Sequence, residues 1–148
     1  MGISLEQQDG EWYKSLPRSG GVYDLITTAV SGSGTTDRLR AVVALGKSGD
    51  PRAVRPLEDL LGDTDQEIRL AATKALGSLK SGRPVDELVE RLRDPGEQVV
   101  IREQAAVTLL AIRSTGALRG LREFVADETM DTAVRSFAKD LLKDTGAL

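Results

Sequence analysis

Asp59, Glu90 and Glu123 recur one repeat apart, at intervals of 31 and 33 residues. A column of arginines, Arg38, Arg69, Arg102 and Arg135, runs through the chain with nearly the same period. Carboxylates and guanidiniums can pair with each other, grip charged partners or bind ions. Covalent and acid–base chemistry asks for more than the chain offers. It has no histidine and no cysteine, which removes Cys/His zinc sites, histidine-based triads and thiolate nucleophiles. The acidic cluster Asp63–Asp65 lacks the spacing of a calcium loop and sits where turns and helix caps ask for Asp. The stretch Ser31–Asp37, SGSGTTD, precedes a helix but has no P-loop lysine and follows no strand, so it reads as a linker. No enzymatic activity, cofactor or metal is expected.

The elements that position these charges follow from self-comparison. Three residues after each repeated arginine stands Ala41, Ala72, Ala105 or Ala138. Seven after it stands Leu45, Leu76, Leu109 or Leu142. Between these segments lies a second set, Ala53–Asp63, Pro84–Asp94 and Ala117–Asp127. Its apolar columns are Val54, Val85, Leu118, then Leu57, Leu88, Leu121, then Leu61, Leu92, Val125. Spacings of three and four mark one face of a helix. Val22, Leu25 and Ala29 form an earlier, weaker copy. GKSGDP, SLKSGRP and RSTG break each helix pair in the middle, and GDTDQE, RDPGEQ and ADETMD separate one pair from the next. Thr64 with Glu67 fits a capping box. Each repeat is therefore a helical hairpin, too small to bury its apolar face alone. Stacking gives an all-α solenoid of antiparallel hairpins over residues 21–148. The small alanine column suits close approach of helices in neighbouring repeats.

These residues resemble the HEAT-like repeat family, in the short-repeat form named after phycobilisome lyases, with an armadillo-type fold. RLRAVVALGKSGDPRAVRPLEDLLGD and EIRLAATKALGSL carry the likeness. The resemblance implies that the arginine column and Asp63, Asp94 and Asp127 form a structural ladder between repeats. It also implies a concave surface lined by the second helices of the hairpins. Di-iron hydroxylases of this type need His–Glu pairs, which a chain without histidine cannot supply.

One stripe on the first helices runs Leu39, Val42, Val43, Gly46, then Leu70, Thr73, Lys74, Gly77, then Glu103, Ala106, Val107, Leu110. In the last repeat it becomes Ser136, Lys139, Asp140, Lys143, wholly polar. Thr132–Lys143 is thus expected to cap the stack, with Val134, Phe137, Leu141 and Leu142 inward and Asp144–Leu148 as a leftover tail. Residues 1–20 read as a degenerate capping helix with Leu5, Trp12 and Leu16 on one side, or as an arm presenting Trp12 and Tyr13.

Composition is that of a globular protein, 40% hydrophobic and 29% charged, with a net charge of −3. This balance favours neither nucleic acid nor an anionic membrane as partner. With no apolar run of membrane length and no signal-peptide pattern in residues 1–14, a cytoplasmic monomer is expected. The function expected is protein binding without catalysis, as an adaptor, scaffold or assembly factor. The alternative is a lyase-like or chaperone-like factor acting on a cofactor-bearing protein, and a phosphate or nucleic-acid binder using Arg52, Arg55, Arg83, Arg119 and Arg122 is a third reading. On the second helices, Asp59, Glu90 and Glu123 should line up facing solvent. Tyr23, Arg55, Asp86 and Arg119 adjoin them, followed by Ile26, Glu58, Val89 and Arg122. Tyr23, Arg55, Asp59, Asp86, Glu90, Arg119, Arg122 and Glu123 are the expected partner-binding residues.

Overall fold

The computed structural model describes residues 21–148; the expectations for residues 1–20 lie outside the described residues. Among these there are eight α-helices and no strand. They are α1 (Gly21–Ser31), α2 (Thr35–Lys47), α3 (Val54–Asp59), α4 (Gln66–Leu79), α5 (Val85–Arg93), α6 (Val99–Ile112), α7 (Thr115–Ala126) and α8 (Thr132–Asp144). Short 3-10 turns, Pro51–Ala53 and Leu60–Gly62, flank α3. The first helices α2, α4, α6 and α8 pack on one another in chain order. The second helices form the opposite layer, where α5 contacts α7.

The repeated columns make the core. Ala41, Ala72, Ala105 and Ala138 are buried, as are Leu45, Leu76, Leu109 and Leu142. On the second helices, Leu57, Leu88 and Leu121 are fully buried. The third repeat shifts its register. Leu118 and Val125 are only half-buried, whereas Ala117, Gly120 and Phe124 point inward. Gly120 lets α5 come close: a Cβ built there would lie 2.6 Å from Val89 Cγ2. Phe124 then fills the interior where the first repeat places Leu60.

Local chemistry fixes the helix ends. Ser114 and Asp131 accept from the backbone N–H groups of Ala117 and Val134 at 3.1 and 3.2 Å, capping α7 and α8. The cap of α4 differs from the sequence expectation. Asp65, not Thr64, is the N-cap and accepts from Glu67 N at 2.9 Å. α4 and α6 end on Lys80 and Arg113, both left-handed with φ of 54° and 53°. A side chain with a Cβ is strained in that region, where glycine is not. Lys80→Gly and Arg113→Gly are each expected to raise stability by about 1 kcal/mol, read as a higher urea midpoint at unchanged slope.

α8 packs on α6 and carries a polar stripe. Ser136, Lys139, Asp140 and Lys143 are exposed, and Val134 and Leu142 are fully buried. The last residues are not a leftover tail. Gly146 takes φ 71°, its N–H reaches Lys143 O at 3.1 Å, and Ala147 N reaches Leu142 O at 2.8 Å. This is a Schellman closure. It buries Ala147, whose carbonyl accepts from Arg122 Nε at 2.9 Å.

Candidate functional site

The two charged systems of the fold have different fates. The arginine column is consumed internally. Each arginine sits in the first turns of a first helix, and three of the four reach back to the end of the preceding second helix. Arg38 Nε donates to Ala29 O at 2.9 Å, Arg102 Nε to Leu92 O at 2.9 Å, and Arg135 Nε to Val125 O at 3.1 Å. Carbonyls in the last turn of a helix have no intrahelical donor and carry the negative end of its dipole, so a guanidinium suits them. Arg69 departs from this pattern. Its Nη1 donates to Asp63 O at 2.8 Å, beyond the 3-10 turn that ends its second helix.

Arg38, Arg69 and Arg102 also reach forward to a carboxylate in the segment that leads from their hairpin to the next. Arg38 pairs with Asp63. Arg69 pairs with Glu97 through two bonds of 2.9 and 3.0 Å, and Arg102 with Asp131 at 2.7 Å. The rungs expected at Asp94 and Asp127 are therefore replaced by Glu97 and Asp131. Asp94 instead accepts from Gly96 N at 2.8 Å. Asp127 takes Thr129 and Arg93. The two loops put the carboxylate three or four residues further on, at the mouth of the next first helix. Glu97 precedes the N-cap residue Gln98 of α6 and Asp131 is itself the N-cap of α8, and this placement was the signal available in the sequence. The ladder is structural, with each rung tying a helix end to the following hairpin.

Its acids titrate accordingly. Burial pushes Asp63 up, but the Arg38 guanidinium and the Asp65 N–H outweigh it and hold the carboxyl below its usual range. At Asp131 burial is likewise outweighed by Arg102 and the Val134 N–H. The hydroxyl and N–H of Thr129, then Arg93, bring Asp127 down to about 2. Folded values below the unfolded ones stabilise the fold fully above about pH 4. That contribution disappears as pH falls through the folded values, for Asp127 about 2. Thermal melts followed downward from neutral pH should show Tm falling only once the carboxylates begin to protonate.

The second system lies on the outer side of the second helices. Asp59, Glu90 and Glu123 are all exposed, one on each of α3, α5 and α7. Asp86 and Arg119 are exposed beside them, while Tyr23 and Arg55 are half-buried. Ile26, expected in the neighbouring surface column, is completely buried. α1 turns this residue into the core beside Ala29, so the columns do not continue unbroken onto α1. Arg122 is exposed, but its Nε is committed to Ala147 O.

One further acidic residue belongs to this region. Glu87 occupies the α5 position that holds Pro56 in α3 and Gly120 in α7. Desolvation first, then Glu90 and Glu58, push its carboxyl above the usual range. Three carboxylates of neighbouring second helices thus share one region. Glu58 is partly balanced by Arg83 at 3.1 Å and Glu90 by Arg91 at 3.5 Å. A charged residue in a column otherwise held by Pro and Gly was the visible sign. By contrast, the basic residues of this side are largely occupied. Arg52 pairs with Asp50 at 2.8 Å, Arg83 with Glu58, and Arg55 is also engaged.

Among the described residues, no group of three or more acidic side chains is placed to hold a metal ion. No described helix is long and apolar enough to cross a membrane.

Comparison with known proteins agrees with this architecture. No curated protein matches the sequence. Among solved structures, human deoxyhypusine hydroxylase in complex with glycerol matches with a TM-score of 0.73 at 24% identity. The match covers 86% of this chain but only 44% of that one, so the likeness is one of fold. A family model for HEAT repeats matches residues 24–101. That span is more than half of the sequence and contains the first two arginine rungs, and the chain belongs to the HEAT repeat family.

Proposed function

We propose that the protein is a non-catalytic binding module, an adaptor, scaffold or assembly factor, that receives a basic, arginine-bearing protein segment along its second helices. The observation that carries this reading is the recurrence of an exposed carboxylate on three successive second helices. Exposed positions of a repeat are free to differ, and here they keep one sign of charge. The upward push that burial and the neighbouring carboxylates exert on the Glu87 pKa adds a reason for a cation. Crowded carboxylates repel one another, and an incoming guanidinium relieves that repulsion while making forked hydrogen bonds.

Catalysis has little support. Histidine is absent, and the hydroxylase that shares the fold is too distant for its activity to transfer. Nucleic acid is disfavoured because the arginines that would grip phosphates are largely engaged with the protein itself. A cytoplasmic monomer remains our reading of the chain, in keeping with the polar outer face of α8.

Titration with an arginine-rich peptide tests the proposal. Binding should be measurable at low salt and weaken steeply as salt is raised, since the attraction acts between exposed charges. Equal binding of a glutamate-rich peptide, or insensitivity to salt, would count against it.

A further inference from the structure

A groove of 510 Å³ runs between α2 and α4 on the outer side of the first-helix layer. Leu39 and Val43 on α2 and Leu70 on α4 give it apolar walls, and Gly46, Ala71 and Ala75 add no bulk to fill it. The surface continues beyond both helices. A hollow of 400 Å³ shares Leu39 and Val43, and one of 140 Å³ shares Leu70 and reaches Val100 on α6. Val43 is 46% and Val100 57% exposed. A small molecule is usually enclosed over most of its surface. An open apolar groove that crosses three helices suits the apolar face of another helix better.

The rim of the groove is cationic. Lys47 and Lys74 line it, and Arg40 lines the adjoining hollow. All three are exposed, and none forms an ion pair among the described residues. Arg52 and Arg83, by contrast, are already paired with Asp50 and Glu58. The one acid in the lining is Glu67, in the first turn of α4, whereas Lys47 stands in the last turn of α2. On α6 the counterpart of Leu39 is Glu103 and that of Lys47 is Ala111; on α8 they are Ser136 and Asp144. Apolar walls with a cationic rim therefore occur together only at α2 and α4 among the described first helices.

We propose that this groove takes an acidic amphipathic helix of a partner protein. The apolar stripe of that helix lies on Leu39, Val43 and Leu70, and carboxylates on its flanks meet Arg40, Lys47 and Lys74. Charge complementarity selects this occupant: a neutral or basic helix would cover the apolar walls but leave three cations at the rim unpaired. Side chains that fill the groove supply most of the affinity, and the exposed rim pairs supply steering and register. The groove lies on the opposite layer from Asp59, Glu90 and Glu123 and asks for the opposite charge. It is independent of the binding proposed for the second helices, and would give an adaptor a second face for an unlike segment.

The probe is a fluorescein-labelled helical peptide with leucine at i, i+3, i+4 and i+7 and glutamate on both flanks, read by anisotropy against the full chain. It should bind at low salt. A glutamate-rich peptide without the leucines should bind at least about tenfold more weakly. Val43→Glu, and separately the pair Lys47→Glu and Lys74→Glu, should each lower affinity at least about tenfold. Helical content should stay constant, because all three side chains are exposed. The double lysine variant should regain binding to the same peptide with lysine in place of glutamate. Lys139→Glu with Lys143→Glu, an equal charge change on α8, should leave affinity unchanged. No binding by the parent, equal binding of the glutamate and lysine peptides, or affinity that survives both groove variants would overturn the proposal. Displacement of the peptide by decanoate would overturn it by making an acyl carboxylate the occupant. A dimer by light scattering that Val43→Glu abolishes would do so by making a second copy the occupant.

Discussion

Arg102→Ala should lower stability by about 3 kcal/mol, a fall of roughly 10 °C in Tm. Arg102 is the most deeply buried rung, 4% exposed, and one guanidinium serves both Leu92 O and Asp131. Removing it leaves the last-turn carbonyl of α5 without its donor and opens space between α5 and α6. The ion pair is the smaller part, since the Asp131 side chain is 43% exposed. Asp131→Asn should therefore cost less than about 1 kcal/mol. Arg102→Lys should fall between the two, because a single ammonium cannot reach two separated acceptors with the same fork. Denaturant melts of the three variants check the ranking. An Asp131→Asn loss equal to that of Arg102→Ala would mean that the ion pair, not the helix-end bond, holds the rung.

Gly46→Val should cost about 3 kcal/mol by overpacking. A glycine inside a helix is normally a weakness, and replacing it by alanine normally gains about 1 kcal/mol. Here even the first carbon would stand 2.8 and 2.9 Å from Ala75 Cβ and Cα. The latter is backbone and can yield only if α2 and α4 move apart. Gly46→Ala should therefore destabilise as well, to a smaller degree, and adding Ala75→Gly should recover part of the loss. A stabilising Gly46→Ala would show that the two helices are not held at this distance.

Period and column residues sufficed to read the helical hairpins, because a buried Ala or Leu recurs wherever the same packing recurs. Partners in loops were harder. Asp63 was legible as the Arg38 partner, whereas Glu97 and Asp131 were not, since loop path decides which of several acids meets the guanidinium. Context also outweighs local sequence at the two TGAL segments. At Thr115–Leu118 the preceding Ser114 caps an N-terminus and the four residues begin α7. At Thr145–Leu148 a helix already runs into them, and Gly146 turns left-handed to close it. The exposed line Asp59, Glu90, Glu123 was legible because solvent-facing positions of successive helices share a register. Ile26 was misplaced because α1 has a different neighbour and a different face to bury. Glu87 escaped notice because its column is silent in the other two repeats.

The line of carboxylates carries the proposed binding. The direct measurement is the affinity of the folded triple variant Asp59→Lys, Glu90→Lys, Glu123→Lys for an arginine-rich peptide at low salt, beside the parent and after helical content is matched by circular dichroism. Like charges set against a cationic segment cost several kcal/mol, so affinity should fall at least about tenfold. Unchanged affinity in a folded triple variant would contradict the assignment of the second-helix face as the binding surface.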